Sequence, residues 1–206
     1  MSNDFLRRKQ SIFDCWAPSY DWLFPSIVYQ AIHQRLLEFV HLPVQASVLD
    51  LGCGTGRLLN RSADQFPNLT GKGLDLSPEM LRQAELKNCH PSRLNFVQGS
   101  AEALPFQENE FDTVFSTLSF LHYPNPEMVF AEVSRVLRPA GHFYLVDPVL
   151  RWQAGTQTLP MPAGAIKFYG FTAREQLGRQ AGLICQGHHY LLGPVVLTIY
   201  AKANEE

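Results

Sequence analysis

A buried strand that runs into three alternating glycines is the feature that most constrains this fold. Val48-Leu49-Asp50-Leu51 has the apolar character of such a strand, and Gly52, Gly54 and Gly56 follow it. Glycine tolerates positive φ and has no Cβ, so a backbone that turns here can approach a ligand closely. In an open parallel sheet, the crevice beyond the carboxyl end of the first strand is the usual ligand site. The spacing differs from the dinucleotide fingerprint G-x-G-x-x-G/A, and the alternative is a tight turn without a ligand.

The alternation of predicted strands and helices indicates the fold class. It favours an α/β, doubly wound, mainly parallel seven-stranded sheet of Rossmann-like type, with helices on both faces. The last two strands, joined at Gly193-Pro194, predict an antiparallel hairpin at the sheet edge. The stretch after Asp147 is predicted to be irregular. The expected strands are about Ser47–Leu51, Thr70–Leu76, Leu94–Gln98, Phe111–Ser116, His142–Val146, Leu183–Leu192 and Val195–Ala201. The expected helices are about Arg57–Gln65, Pro78–Asn88, Glu127–Leu137 and Thr172–Ala181.

Composition and charge exclude several functional classes. The formal net charge is −2 with no long run of one sign. We therefore expect no nucleic acid among the partners of the protein. The four cysteines are scattered without a C-x-x-C pair, which predicts neither a metal site nor a disulfide framework. The chain begins with polar and basic residues, unlike a signal peptide, and no apolar run is long enough for a transmembrane segment. We expect a cytoplasmic protein with reduced thiols.

The string from Asp50 to Gly56 resembles the first motif of class I S-adenosylmethionine (SAM) methyltransferases. By that resemblance, Asp50 and the three glycines contact the cofactor. The ribose diol of SAM needs a carboxylate about one βα unit later, because two hydroxyls can donate to its two oxygens. Asp75 stands at that place, and Leu76 is expected to pack on the adenine face. An acid at a strand end can otherwise serve as a helix cap.

The string from Gly99 to Phe106 is similar to the adenine-contacting loop of the same superfamily. The resemblance implies cofactor contacts for Ser100, Ala101 and Glu102, with the Ala101 N–H donating to a ring nitrogen. Ser100 stands where an Asp is common, so its bond to the adenine amino group is expected to be weaker. The alternative interpretation of the string is an ordinary turn with an apolar end.

The string from Phe111 to Ser116 is similar to the fourth-strand motif of that superfamily. Ser116 and Thr117 are expected near the sulfonium, whereas Asp112 is expected to position the start of the strand. His122 follows in the next loop and is the candidate catalytic base, since histidine changes charge near neutral pH. The alternative for His122 is a polar residue that lines the pocket or caps the next helix.

The residues from Phe13 to Asp21 resemble the lead-in of small-molecule methyltransferases, a family that includes the ubiquinone and menaquinone biosynthesis enzymes. In such enzymes this segment covers the cofactor. The resemblance therefore implies an N-terminal helical lid over residues 1–42 and a SAM-binding domain over residues 43–206, within one structural domain. It also implies that Tyr20 reaches the methionine end of SAM. The alternative for Tyr20 is a core aromatic residue of a docking helix.

Together these strings predict a SAM-dependent methyltransferase whose second product is S-adenosylhomocysteine. Methyl transfer from a sulfonium is a direct displacement, in which the protein mainly holds the acceptor in line and excludes water. The expected partner is a small, apolar or aromatic methyl acceptor, because the candidate walls are rich in rings and poor in fixed charge. These walls are Trp16, Tyr20, Phe120, His122, Tyr123, Trp152 and Phe168.

Two other functions are compatible with the sequence. One is a catalytically silent SAM-binding sensor or partner protein, which the replacement at Ser100 and the uncertain role of His122 would allow. The other is a nicotinamide-dependent oxidoreductase on a similar sheet, against which the glycine spacing argues. The acceptor atom is open. The protein is expected to be a monomer or a homodimer, the latter if the strand near 195–197 pairs across an interface.

Overall fold

A seven-stranded sheet forms the centre of the structure, a computed structural model that describes residues 25–150, 155–160 and 165–204. The strands are β1 (Ser47–Leu51), β2 (Thr70–Asp75), β3 (Leu94–Gln98), β4 (Phe111–Thr117), β5 (Leu137–Pro148), β6 (Thr156–Leu159), β7 (Ile166–Tyr169), β8 (Leu183–Leu192) and β9 (Val195–Lys202). The helices are α1 (Pro25–Leu37), α2 (Arg57–Gln65), α3 (Pro78–Leu86), α4 (Pro126–Val136) and α5 (Phe171–Gln180), with a 3-10 turn at Phe120–His122.

The order of the strands confirms the predicted fold class. The large sheet runs β3-β2-β1-β4-β5-β9-β8. Strands β1 to β5 are parallel to one another, whereas β9 is antiparallel to both β5 and β8. The parallel strands therefore all present their carboxyl ends at one edge, which is where such sheets bind ligands.

The chain-terminal hairpin is folded back into the sheet rather than added outside it. Strand β9 lies between β5 and β8, with Asp147 opposite Val196 on one side and Tyr190 opposite Val196 on the other. The backbone near 195–197 is thus paired on both sides. The suggestion that this strand pairs across a dimer is wrong, because β8 is the strand at that edge.

Local signals set most element boundaries. Helix α2 starts after Gly56, whose φ is 73°. Ser77 caps α3, as its Oγ accepts a hydrogen bond from the Met80 N–H at 3.1 Å, and Pro78 takes the first helical position. Strand β5 starts earlier than expected, since Leu137 pairs with Phe111 before a register shift.

The stretch after Asp147 is not wholly irregular, which corrects the sequence prediction. Strands β6 and β7 form a separate antiparallel hairpin, in which Thr156 pairs with Tyr169 and Leu159 with Ile166. Each strand has only 4 residues, and β6 is largely exposed. Strands this short and this exposed have no clear alternation of apolar and polar residues, so the pattern does not predict them.

The core lies on both faces of the large sheet. One face packs α4 and α5 through residues such as Phe130 and Leu177, together with Phe143 from β5. The other face packs α1 and α2 through residues such as Ile32 and Leu59. Helix α1 is the described part of the predicted N-terminal lid, and none of the helices in the described ranges is long and apolar enough to span a bilayer.

Candidate functional site

The three glycines after β1 have different surroundings. All three adopt positive φ, at 67° for Gly52, 53° for Gly54 and 73° for Gly56. A Cβ on Gly52 would lie 2.5 Å from Ser119 Cβ, and one on Gly56 would lie 2.6 Å from the Phe96 ring. A Cβ on Gly54 would meet nothing within 4 Å. Gly52 and Gly56 therefore serve close packing, whereas Gly54 presents bare backbone to the crevice at the carboxyl edge.

Main-chain donors orient the Asp75 carboxylate at the end of β2. Its Oδ2 accepts a hydrogen bond from the Gly54 N–H at 2.9 Å, and its Oδ1 accepts one from the Ser77 N–H at 2.9 Å. The first donor belongs to the glycine turn and the second to the start of α3. These two bonds fix the direction of the carboxylate at the carboxyl edge of the sheet.

A second carboxylate, that of Asp50, lies nearby inside the protein. Asp50 is 3% exposed. Burial, and then the charge of Asp75, raises the pKa of Asp50 well above its usual range. Burial also raises the pKa of the Cys53 thiol in the same turn. A cationic ligand group would relieve the repulsion between the two carboxylates, so this edge favours a ligand with a positive charge.

A cavity of about 60 Å³ lies between α1 and the glycine turn. Two buried atoms beside it, His33 Nδ1 and Thr117 Oγ1, have no hydrogen-bond partner in the part of the chain that the structure describes. Such atoms are uncommon in native proteins and point to a bound partner. The lining residues are Tyr29, His33, Asp50, Gly52, Cys53, Gly54, Thr55, Arg57, Leu58 and Thr117.

The His33 imidazole is neutral in this setting. Burial, and then the charges of Arg61 and Arg57, lowers its pKa to about 3. Its unpartnered Nδ1 can donate or accept, depending on the tautomer. Arg57 and Asp50 both line the cavity, so it combines a guanidinium, a carboxyl group and uncharged polar atoms.

The polar side chains of the loop after β3 form hydrogen bonds to other groups of the protein. Ser100 Oγ accepts a hydrogen bond from the Glu102 N–H at 3.2 Å. The Glu102 carboxylate accepts from the main-chain N–H and the Nδ2 of Asn125, at 3.0 and 2.9 Å. Glu102 therefore holds the start of α4. Ala101 is buried in the core, and Leu76 is half-buried beside β3.

Ser116, which is predicted to lie near the sulfonium, has its hydroxyl among buried groups of the protein. Its side chain is fully buried, and its Oγ bonds to Ser119 Oγ at 2.9 Å. Ser119 in turn donates to the Leu51 carbonyl at 2.8 Å. Since residues alternate between the faces of a strand, the next residue, Thr117, is the one that lines the cavity.

Asp112 positions the start of β4, as expected. Its Oδ2 accepts from the Ser47 N–H at 2.8 Å and from Arg138 Nη1 at 2.7 Å. His122 ends the 3-10 turn and is half-buried, and Phe168 lies half-buried in β7. Three other predicted residues, Trp16, Tyr20 and Trp152, lie outside the described residues.

Sequence reasoning missed the α1 side of the cavity. Tyr29 and His33 are four positions apart and therefore share one face of α1. Arg57 directly follows the glycine turn as the first residue of α2. A search for polar pairs at helical spacing would have found the first two, but nothing local shows that α1 packs against the turn.

Residues 49–145 match a family model described as a methyltransferase domain. An uncharacterized methyltransferase of Synechocystis sp. is 35% identical, and the match covers 95% of this chain and 98% of that protein. A demethylmenaquinone methyltransferase of Lactiplantibacillus plantarum is 31% identical, covering 78% of this chain and 75% of that protein. A bifunctional biotin biosynthesis protein of Teredinibacter turnerae is 31% identical, covering 89% of this chain, which spans only 36% of that longer protein.

A solved structure shares the fold over nearly the whole chain. It is a 1,6-didemethyltoxoflavin N1-methyltransferase of Burkholderia thailandensis, solved with 1,6-didemethyltoxoflavin and S-adenosylhomocysteine bound. The TM-score is 0.78 at 18% identity, and the match covers 99% of this chain and 91% of that one.

Proposed function

This chain belongs to the class I SAM-dependent methyltransferases, and from that premise we propose that it methylates a small, apolar or aromatic acceptor. Family, enzyme class and cofactor were predicted from the glycine string and are confirmed by the relatives. The observation that carries the assignment of the site is the pairing of the open Gly54 backbone with the oriented Asp75 carboxylate at one sheet edge.

The residues at this edge match the chemical groups of SAM. Asp75 is suited to the ribose hydroxyls, because its carboxylate is fixed by main-chain donors at the end of β2. Leu76 and the Ala101 N–H remain the proposed contacts of the adenine. Glu102 and Ser100 act on the loop itself through their bonds to Asn125 and to main chain. When bound, SAM supplies a methyl group that its positive sulfur activates.

The cavity beside α1 is the proposed place for the amino-acid end of the cofactor. That end carries an ammonium and a carboxylate, and the cavity is lined by Asp50 and by Arg57. The unpartnered atoms of His33 and Thr117 offer two further hydrogen bonds. A zwitterion therefore fits this lining, since the Asp50 carboxyl group suits its ammonium and Arg57 suits its carboxylate.

The acceptor side supports a small molecule with rings. Phe120 packs against Tyr169 with ring centroids 5.1 Å apart and against Tyr123 at 5.9 Å. The Tyr123 hydroxyl lies 3.0 Å from where a Cβ on Gly52 would be, which places the Tyr123 ring beside the glycine turn. An aromatic wall of this kind binds apolar rings and excludes water.

Methyl transfer from isotope-labelled SAM into a panel of quinols, phenols and amines tests the proposal. We expect labelling of apolar or aromatic acceptors by the wild type and none by Asp75→Ala. Asp64→Asn, which changes a carboxylate that is 67% exposed, serves as the matched control. Labelling of strongly charged acceptors alone would contradict the acceptor class. SAM binding without labelling across the panel would favour the silent sensor instead.

A further inference from the structure

Two buried oxygens on the acceptor side have no hydrogen-bond partner within the described ranges. They are Oδ1 of Asp147, in β5, and the hydroxyl of Tyr169, at the end of β7. Asp147 is 3% exposed and Tyr169 5% exposed. The other carboxylate oxygen of Asp147 accepts from the Leu121 N–H at 3.2 Å. Because leaving a buried polar group unpaired costs free energy, two such groups in one region indicate a bound polar partner.

A buried arginine holds the main chains of these two residues side by side. Arg174, in α5, is 1% exposed. Its Nε donates to the Tyr169 carbonyl at 3.0 Å, and its Nη2 donates to the Asp147 carbonyl at 2.9 Å. Its Nη1 donates to the Val196 carbonyl and to Thr198 Oγ1. Each of the three guanidinium nitrogens therefore donates to a carbonyl or hydroxyl oxygen. None of them bonds to Oδ1 of Asp147.

The 3-10 turn at Phe120–His122 lies between this pair and the glycine turn. The Phe120 ring packs at a tilt against Tyr169 and edge-to-face against Tyr123. Leu121, the next residue, donates its N–H to Asp147, while the Tyr123 hydroxyl lies beside Gly52. The 3-10 turn thus connects the proposed cofactor site to Asp147 and Tyr169. This placement assigns the pair to the acceptor.

We propose that Asp147 and Tyr169 bind the hydroxyl group of the methyl acceptor, an aromatic ring with an ionisable O–H, and that Asp147 takes its proton. The inference rests on the proposed function. The O–H bond breaks as its proton moves to Asp147 Oδ1. Its electron pair forms the bond between that oxygen and the methyl carbon. If the bond forms from a ring carbon instead, that carbon then loses its own proton and the oxygen regains one. The carbon–sulfur pair goes to sulfur, and Asp147 then returns the proton to solvent.

The electrostatics of Asp147 suit this role. Burial raises its pKa to about 7, while the charge of Arg174 opposes that rise. A base whose pKa lies near the working pH combines adequate basicity with a useful deprotonated fraction. Arg174 is a positioning residue, since it acts on the main chain of Asp147 and Tyr169. His122 keeps the alternative role of a pocket wall.

Spectroscopic titration with 4-nitrocatechol tests the inference without relying on turnover. The protein is saturated with S-adenosylhomocysteine, and the visible absorption reports ionisation of the bound ring hydroxyl. We expect the wild type to bind the probe and to increase its ionised fraction. Asp147→Asn should bind at least about tenfold more weakly without that increase, and Tyr169→Phe should bind about threefold to tenfold more weakly.

Controls separate this inference from the proposed function. Asp64→Asn and Tyr190→Phe change exposed residues of matched type and should bind the probe as the wild type does. Calorimetry with S-adenosylhomocysteine shows whether each variant keeps its cofactor site. If the wild type fails to bind S-adenosylhomocysteine, the proposed function itself is wrong and the inference is overturned with it.

The remaining outcomes test the role of Asp147 and Tyr169 and leave the proposed function untouched. If the wild type binds the cofactor but not the probe, the inference is overturned. It is also overturned if Asp147→Asn shows unchanged probe affinity and an unchanged spectrum. If Asp147→Asn does not fold, Tyr169→Phe decides, because it removes only a hydroxyl that has no partner among the described residues. An unchanged affinity in that variant would overturn the inference.

Discussion

The carboxyl edge of the sheet has two halves that are built in different ways. In the cofactor half, Asp75 is held by main-chain N–H groups 2 and 21 residues away, within the glycine turn and the next helix start. In the acceptor half, Asp147 and Tyr169 are held by a buried guanidinium that also bonds to β9. A short string thus encodes the first half, whereas the second depends on long-range packing. The halves should therefore respond differently to mutation.

Removal of the buried cation should produce the largest effect. Arg174→Met leaves carbonyl oxygens of three segments without their donor and removes the positive charge that acts on Asp147. We expect the free energy of unfolding in urea to fall by about 3–5 kcal/mol. If the variant still folds, its affinity for S-adenosylhomocysteine should change little, since Arg174 bonds to β5, β7 and β9.

Arg35→Met is the matched control for that experiment. The Arg35 side chain is 52% exposed and pairs with Glu38 on the surface of α1, so its loss should change stability little. Equal stability losses in the two variants would contradict the assigned role of Arg174.

The glycines of the cofactor half should separate packing from binding. Gly52→Ala forces a Cβ to 2.5 Å from Ser119 at a φ of 67°, so we expect a loss of about 2–4 kcal/mol in unfolding free energy. In Gly54→Ala the new Cβ meets no atom within 4 Å, so only the positive φ of 53° is unfavourable. We expect a loss of about 1–2 kcal/mol in unfolding free energy.

For Gly54→Ala, the larger effect should be on affinity for S-adenosylhomocysteine and the smaller one on stability. This variant should fold and yet bind weakly, because the new methyl group projects into the crevice. Calorimetric titration of Gly54→Ala beside chemical denaturation of both variants checks this. Full affinity in that variant would show that the crevice is not the binding face.

The two halves should also differ in their response to pH. The folded-state pKa of His33 is lowered from 6.5 to about 3, so the unfolded chain binds more protons and stability falls as pH falls below 6.5. The folded-state pKa of Asp147 is raised from 3.8 to about 7, so stability falls as pH rises through that range. Each group contributes about 2 kcal/mol between pH 5 and pH 7, in opposite directions.

Single variants make the two contributions visible. From pH 5 to pH 7, the stability of the wild type relative to His33→Gln should increase by about 2 kcal/mol. Relative to Asp147→Asn it should decrease by about the same amount. Urea denaturation at both pH values measures each difference. Parallel slopes in the two comparisons would contradict the assigned burial.

The same contrast explains which features can be predicted from the sequence. Strand β1 and helix α2 have the predicted bounds, and Asp75 lies where the spacing of strand and turn predicts it. These features follow from local hydrophobic pattern, glycine conformation and capping. The position of His33 depends on how α1 packs against the turn. That of Arg174 depends on bonds to three strands, two of which lie 22 and 27 residues away along the chain. No local pattern contains such information.

Calorimetric titration with S-adenosylhomocysteine of the wild type, Asp75→Ala and Asp147→Asn tests the central claim most directly. The account predicts binding by the wild type, a loss of at least about 100-fold in Asp75→Ala, and wild-type affinity in Asp147→Asn. Circular dichroism of each variant confirms that it is folded. Wild-type affinity in a folded Asp75→Ala variant, or binding of NADH in place of the adenosyl ligand, would contradict it.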